Sequence, residues 1–467
     1  MENQQLIIQA PYSGRVLSEH PLQTPEEIDQ MLDRARRFFS DPKSRLPKHK
    51  RIDILQKTAS LLENQKEDFI RLAAEEGGKP YTDTLVEADR AINSIRLAVA
   101  HLMEMRGEEV PMGLTQPSGQ RWAFTTREPI GPVVSISAFN HPINLTVHQT
   151  IPAIAAGCPV ILKPALTTPL TALAFHRLLA EAGLPEDACQ IALCNNDAAE
   201  QLAIDPRTAY LSFIGSARVG WHLHAHVAPG TRVALEHGGV APVIVDRSAD
   251  LPSMIPALCK GGFYHAGQVC VSTQRVYVHK SMLSEITDML CQQAEKIVVG
   301  DPLSEATGIG PLITEAARER VHQWVQEAVT GGGKLHCGGR MLNNGCYEAT
   351  VISNAPESCK LSREEIFGPV ISVYGYDDMD EAIHRANDLP YAFQAAVFSR
   401  DVDQALHAAS RLNAAAVMIN DHTAFRVDWM PFGGRSVSGL GIGGMAQAME
   451  ELSQNKLIVF KSPALPA

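Results

Sequence analysis

Pro129-Ile130-Gly131-Pro132-Val133-Val134-Ser135-Ile136-Ser137 is the stretch at which this chain changes character. From here short apolar runs recur at 133–137, 159–162, 189–194, 210–213 and 232–235, with helical patterns between them. Strands that alternate with helices in this way predict a parallel, doubly wound α/β sheet. A second alternating series over 242–420 predicts another α/β unit. Upstream the pattern is helical. Thr24-Pro25-Glu26-Glu27 is a capping box with proline at the first helical position, opening an amphipathic helix through Phe39. Long helical patterns follow over 48–75 and 82–105. Neither an internal repeat nor a low-complexity segment stands out.

The 467 residues are 45% hydrophobic and 20% charged, which suits a globular chain of two or three domains. Lys and Arg total 41 against 52 Asp and Glu, a net charge of -11 without a basic tract, which argues against nucleic acid as a partner. Residues 1–14 lack the basic start and apolar core of a secretory signal. The longest apolar stretch, 151–162, is interrupted by Pro152, Gly157 and Pro159 and is too short to span a membrane. Nine cysteines, an odd number with no Cys-x-x-Cys pair, fit free thiols in a reducing cytoplasm.

One of them has a distinctive setting. In Phe263-Tyr264-His265-Ala266-Gly267-Gln268-Val269-Cys270 the thiol follows a small-residue turn and precedes an alternating run over 271–279 that reads as a strand. A thiol at such a junction can face a cleft and serve as a nucleophile if a base lies near; a small buried hydrophobe is the competing reading. The candidate base is Glu236, at the end of a strand-like run in Leu235-Glu236-His237-Gly238-Gly239, where two glycines suit a backbone passing close to a ligand.

These two segments resemble the signature segments of the aldehyde dehydrogenase superfamily. Further matching segments follow: Ala138-Phe139-Asn140-His141-Pro142, Lys163-Pro164, Phe213-Ile214-Gly215-Ser216 with Gly220, Glu365-Ile366-Phe367-Gly368-Pro369, and Pro431-Phe432-Gly433-Gly434. The resemblance implies a Rossmann-type cofactor-binding domain (1–117, 134–238 and 436–452), an α/β catalytic domain (239–435), and a small β bridging and oligomerisation element (118–133 and 453–467). It implies a cytoplasmic homodimer or homotetramer that uses NAD+ or NADP+ and no metal. In the implied chemistry Cys270 attacks the aldehyde carbon, and Asn140 and the Cys270 N–H stabilise the oxyanion. Hydride loss to the nicotinamide gives a thioester, and Glu236 activates the water that releases the acid. Relatives that pass the acyl group to coenzyme A tend to lack this base, so hydrolysis is expected.

For the cofactor, Ser216 can cap the helix that follows a strand end and meet the pyrophosphate beside Gly215. Lys163 is implied at the adenosine ribose, and Glu365 at the nicotinamide ribose with Phe367 packing nearby. Leu166 stands where NAD-preferring relatives often carry a glutamate, which removes a barrier to a 2′-phosphate. The only G-x-G-x-x-G match, Gly439, Gly441 and Gly444, lies too near the C-terminus for the strand and ribose-binding acid that a dinucleotide fingerprint needs, and reads as a glycine-rich turn.

Three polar residues fall where relatives that act on apolar aldehydes carry aromatics: His141, His148 seven residues on along one helical face, and Arg426 six residues before Phe432. A buried guanidinium needs a partner, here a substrate anion, or alternatively Asp428 or Asp421. Arg90 is a further candidate. The pattern resembles the branch that handles lactaldehyde, succinate semialdehyde, phosphonoacetaldehyde and sulfolactaldehyde. Val269, where some phosphonate-handling relatives carry arginine, argues against phosphonoacetaldehyde. His222, His224 and His226 have helical metal-ligand spacing but no third ligand nearby in sequence, and read as a solvated helix. Two other functions stay open on the same fold: a cysteine-dependent esterase without redox chemistry, and a non-catalytic binding or structural protein.

Overall fold

The computed structural model describes residues 5–466; residues 1–4 of the 1–14 segment, and the last residue of 453–467, lie outside the described residues. Two sheets dominate. The six strands of the first lie in the order Gly439–Leu440, Arg232–Glu236, Tyr210–Ile214, Val133–Ile136, Val160–Lys163 and Cys189–Ile191. The last five are mutually parallel, and Gly439–Leu440 joins antiparallel. Val133–Ile136 and Val160–Lys163 are buried at every position, as expected of parallel strands covered on both faces. Chain order reverses about Val133–Ile136, and doubly wound sheets bind ligands beyond the carboxyl ends of the strands at such a switch.

The second sheet has seven strands, ordered Lys334–Cys337, Thr350–Ser353, Val370–Tyr376, Arg275–His279, Pro242–Val245, Gln394–Phe398 and Ala416–Ile419. All are parallel except the edge strand Lys334–Cys337. A third sheet pairs Arg121–Pro129 along its whole length with Ser453–Lys461, and Glu109–Val110 completes it. Trp122, Phe124 and Phe460 cluster on it, with Trp122, Leu457 and Phe460 about half exposed.

Several sequence expectations need correction in detail. The capping box of Thr24 and Glu27 forms and starts the helix Pro25–Ser40. The pattern over 48–75 is two helices, Lys48–Asn64 and Lys66–Gly77, because Gln65 leaves helical geometry at a point with no breaker residue. Pro152 does not interrupt its segment; it sits inside the helix Pro142–Ala156, which ends at Gly157 in a left-handed conformation. The strand expected over 271–279 begins only at Arg275. Residues 271–273 stay out of the sheet because their backbone is bonded elsewhere, Ser272 N–H to Val269 O and Thr273 N–H to Gly261 O, and only at Gln274, whose carbonyl accepts from Ser372 N–H, does pairing begin.

The turn before Cys270 is tightly constrained. His265 and Ala266 have positive φ, and so does Gly267, where an added Cβ would lie 2.1 Å from Gly368 O. Gly267→Ala should therefore destabilise the protein by about 2–5 kcal/mol, combining a left-handed backbone cost of ~1–2 kcal/mol with an overpacking cost of ~1–3 kcal/mol. A thermal unfolding scan checks this, and an unchanged transition would mean that the turn and the 368–369 backbone can separate freely.

Candidate active site

Four parallel strands end on one edge and deliver side chains to a single cleft of about 880 Å³. Asn140 follows Val133–Ile136, Lys163 ends Val160–Lys163, Gly215 and Ser216 follow Tyr210–Ile214, and Glu236 ends Arg232–Glu236. The second sheet and its loops supply Cys270, Glu365, Phe367, Arg426 and Phe432, and His141 and His148 complete the lining. All twelve candidate residues thus face one space. Of the nine cysteines, all free, Cys270 alone lines it.

Cys270 Sγ lies 3.9 Å from Glu236 Oε1, donor to acceptor. Burial raises the Glu236 carboxyl above its usual range, against the opposing pull of Arg426 and the thiol. Burial also pushes the Cys270 thiol well above its ordinary value, with Glu236 and Glu365 adding to the effect and Arg426 opposing it. Burial thus favours the protonated thiol, which is placed to donate to Glu236. The Asn140 amide donates one N–H to Gln268 O at 2.9 Å, which leaves the second with no partner among the described residues.

Toward the first sheet the lining changes character. Lys163 is buried, its Nζ makes no hydrogen bond among the described residues, and burial lowers its pKa. Ser216 occupies the N-cap position of Ala217–His226, but its side chain makes no capping bond, contrary to the sequence expectation; the hydroxyl and the first N–H groups of that helix are left for an anion. Glu365 Oε1 is buried without a hydrogen-bond partner, and burial pushes this carboxyl up to about 8 despite Arg320 and the Gly239 N–H. An orphaned carboxylate oxygen suits a ribose hydroxyl pair, and the helix N-terminus suits a pyrophosphate, so these residues fit a dinucleotide. Of the glycines after Glu236, Gly238 lines the cleft, and a Cβ there would fall 1.7 Å from Glu365 Oε1, so the backbone passes close to that side chain. Phe367, with positive φ, meets Phe139 edge-on at 5.8 Å.

At the opposite end the alternative of an Arg426–Asp428 pair is largely displaced. Arg90 takes Asp428 in a bidentate grip, Nε to Oδ2 at 2.9 Å and Nη2 to Oδ1 at 2.8 Å. Asn144 and His148 hydrogen-bond the same carboxylate, and His148 also meets Ser94. Burial acts to raise Asp428, but His148 and Arg90 outweigh it and hold the carboxyl well below its usual range. Arg426 comes no nearer than 3.7 Å to Asp428 by its Nε, which is buried without a hydrogen bond. Its guanidinium lies 3.5 Å over the Phe432 ring. Burial lowers Arg426 to about 10, with Glu236 opposing, so it is still a cation at neutral pH. Asp421 does not pair with it and faces His422 instead. His141 is not on the helical face expected: it precedes the helix at the N-cap position, 3.3 Å from the Tyr264 hydroxyl. Burial, then Lys79 and Arg90, lower its pKa well below the ordinary value, so it is neutral.

The sequence reading missed Tyr264, Arg320 and the 440–444 segment as cleft-lining residues. As a string, the glycines of that segment suggest only a dinucleotide fingerprint. They are instead an edge strand paired with Glu236 and Leu235, followed by a wall of the cleft. His222 hydrogen-bonds Glu200, and His226 meets the His222 carbonyl, both on the surface. Among the described residues no cluster of three or more His, Cys, Asp or Glu is arranged to hold a metal, and no helix is long and apolar enough to cross a membrane.

The aldehyde dehydrogenase family model matches residues 1–458. The 3-sulfolactaldehyde dehydrogenase of Priestia aryabhattai is 36% identical over 450 residues, 96% of this chain and 93% of the relative. Aldehyde dehydrogenase 21 from Physcomitrella patens, solved with the reaction product succinate, superposes with a TM-score of 0.94 at 34% identity, covering 99% of this chain and 96% of that one. The glyceraldehyde-3-phosphate dehydrogenase GapN of Methanocaldococcus jannaschii, solved with NADP, gives 0.93 at 33% identity, covering 99% and 100%. The chain belongs to the aldehyde dehydrogenase family and is an NAD(P)-dependent enzyme that oxidises aldehydes.

Proposed function

We propose that this enzyme oxidises a small anionic aldehyde to its carboxylic acid through Cys270 and completes the cycle by hydrolysis. The observation that carries the reading is the Cys270–Glu236 pair at 3.9 Å, with Arg426 in the same cleft and its Nε unpartnered. Glu236 takes the thiol proton as the sulfur attacks the aldehyde carbon, and the carbonyl π pair moves onto oxygen. The free N–H of Asn140 and the Cys270 N–H donate to that alkoxide, and losing one such donor costs roughly 10²–10³ in rate. Bound NAD(P)+ supplies the hydride acceptor that turns the thiohemiacetal into a thioester. Glu236 releases the thiol proton to solvent and then removes a proton from water; the oxygen adds to the thioester carbon, the C–S bond breaks, and the sulfur leaves as thiolate, which takes the proton back from Glu236.

Lys163, Gly215, Ser216, Glu365 and Phe367 are the residues read as holding the dinucleotide. Substrate charge is inferred from electrostatics. Arg90 and Asp428 satisfy one another, while Arg426 remains a buried cation with only a ring face and ion-pair distances around it. His141, His148 and Phe432 shape the rest of that end. Three of the relatives are named for, or solved with, compounds that carry anions, sulfolactaldehyde, succinate and glyceraldehyde 3-phosphate, whereas others are named for the neutral lactaldehyde, so the reading rests on Arg426 rather than on the names. Residues 1–117, 134–238 and 436–452 are read as the cofactor domain and 239–435 as the catalytic domain. The 118–133 and 453–467 element, with its half-exposed aromatics, is read as the surface that builds a homodimer or homotetramer.

Cys270→Ser should abolish oxidation, and Glu236→Gln, which also loses the acceptor of the thiol proton, should give one slowed burst of reduced cofactor and then stall as the thioester. A carboxyl raised by burial is a base only above its elevated pKa. Steady-state kcat in the wild type should therefore rise with pH through a value above the ordinary carboxylate range. Rapid-quench turnover decides this; steady wild-type rates in Glu236→Gln would remove Glu236 from the reaction.

Arg426→Ala should lower kcat/KM for an anionic aldehyde by roughly 10- to 150-fold, the equivalent of ~1.5–3 kcal/mol for a charge-assisted hydrogen bond. Propionaldehyde should be affected far less, and Arg426→Lys should recover only part because an ammonium lacks the planar fork. Equal losses for charged and neutral aldehydes would make Arg426 structural.

Leu166 leaves room for a 2′-phosphate, so NADP should support turnover within roughly tenfold of NAD, ~1.4 kcal/mol. Leu166→Glu should shift the ratio of the two kcat/KM values toward NAD. Strict NAD use by the wild type, unchanged in the variant, would count against this assignment.

A further inference from the structure

The helix Tyr81–Glu104 contributes no reacting atom, yet one of its faces grips three segments of the site. Arg90 holds Asp428, Asp83 accepts from the His265 N–H at 3.2 Å, and Glu87 reaches the helix that follows Asn140. Glu87 and Lys79 are both fully buried and joined at 2.6 Å, Nζ to Oε2. The other carboxylate oxygen, Oε1, accepts from the backbone N–H groups of Ile143 at 2.8 Å and Asn144 at 2.9 Å. These are first-turn donors of Pro142–Ala156 that no local residue satisfies, since His141 at the N-cap position makes no side-chain cap. A carboxylate from elsewhere in the chain therefore caps this helix, favoured there by the helix dipole.

Asn140 is thereby held from two sides. Its side chain is tied to Gln268 O in the nucleophile turn, and the helix two residues on is pinned by Glu87. We propose that Glu87, with its charge balanced by Lys79, is a positioning residue for aldehyde oxidation: it fixes the start of this helix and so the aim of the Asn140 amide at the oxygen of the aldehyde on Cys270. The proposal rests on the roles given to Cys270 and Asn140 above. A buried ion pair does little for stability compared with apolar replacements, whereas directional acceptors at a helix start set geometry. A displacement of ~1 Å at a reacting centre costs on the order of 10²-fold.

The test compares two double variants that both remove the buried charges. Lys79→Met with Glu87→Gln keeps an acceptor oxygen; Lys79→Met with Glu87→Leu removes it at similar size. The pre-steady-state burst of reduced cofactor is measured, together with thermal unfolding, cofactor KM and the rate at which iodoacetamide labels Cys270. The Gln pair should keep a burst within about threefold of wild type, and the Leu pair should fall by roughly 10- to 100-fold. Labelling and cofactor KM should agree between the two pairs within about twofold, since alkylation develops no oxyanion. Equal bursts in the two folded pairs would overturn the proposal, and so would a burst loss matched by an equal loss of labelling. Should the Leu pair not fold, Glu87→Asp keeps the charge but shortens the reach; its burst should drop about tenfold at an unchanged unfolding transition. A wild-type burst there would overturn the proposal equally. Asn140→Ala is the reference. If it leaves the burst intact, the reading of the site fails; if it slows the burst while the doubles agree, only the role of Glu87 fails.

Discussion

The structure depends on bringing a thiol from one sheet and a carboxylate from the other to 3.9 Å. Glu236 ends a strand of the six-stranded sheet, while Cys270 lies in the turn that feeds a strand of the seven-stranded one. Neither side chain can find the other through local structure, so the backbone around both must be fixed from outside. Gln268 does much of this. Its carbonyl accepts from Asn140, its Oε1 accepts from Ile313 N–H, and its Nε2 faces His265 O and Pro311 O at 3.4 Å. A buried amide with its partners satisfied joins the nucleophile turn to both neighbours. Gly267 against Gly368 and Gly238 against Glu365 then permit approaches that any side chain would prevent.

The charges of the cleft follow from the same crowding. Burial raises both the thiol and Glu236, so a carboxylate and a thiolate do not coexist there as a stable pair. At the far end Asp428 is committed to Arg90 and His148, which leaves Arg426 supported by the Phe432 ring and by long-range attraction. A cation kept buried on such terms is expensive unless something else completes it. That asymmetry, rather than the count of basic residues, is the ground on which an anionic substrate is proposed.

Much of this was legible in the sequence because it is local. Strand-helix alternation identified the parallel sheets, and Thr24 with Glu27 marked a helix start that the structure reproduces. The segments carrying Cys270, Glu236, Asn140 and Glu365 were visible as motifs, and the fold gathers them at one cleft. What escaped is through-space. Arg90 and Asp428 are separated by 338 positions, and the Glu87 cap reaches a helix start 56 positions away. No periodicity or spacing rule relates such pairs. Ser216 shows the converse: an ideal capping residue at a helix start withholds its hydroxyl from the cap.

The glycine-rich 439–444 segment makes the point about motifs most sharply. As a string it matches a phosphate-binding fingerprint, yet it lacks the strand–turn–helix context that gives that fingerprint its physics. The fold uses its small residues differently. Gly439–Leu440 pairs with the strand ending at Glu236, a Cβ on Gly439 would lie 2.3 Å from Leu235 O, and Gly443 bridges to Phe432 beneath Arg426. One tight segment therefore touches the strand of the carboxylate on one side and the ring beneath the arginine on the other. Four of its six residues are glycine, so the backbone can run close to both, while Leu440 and Ile442 keep their side chains for the wall of the cleft.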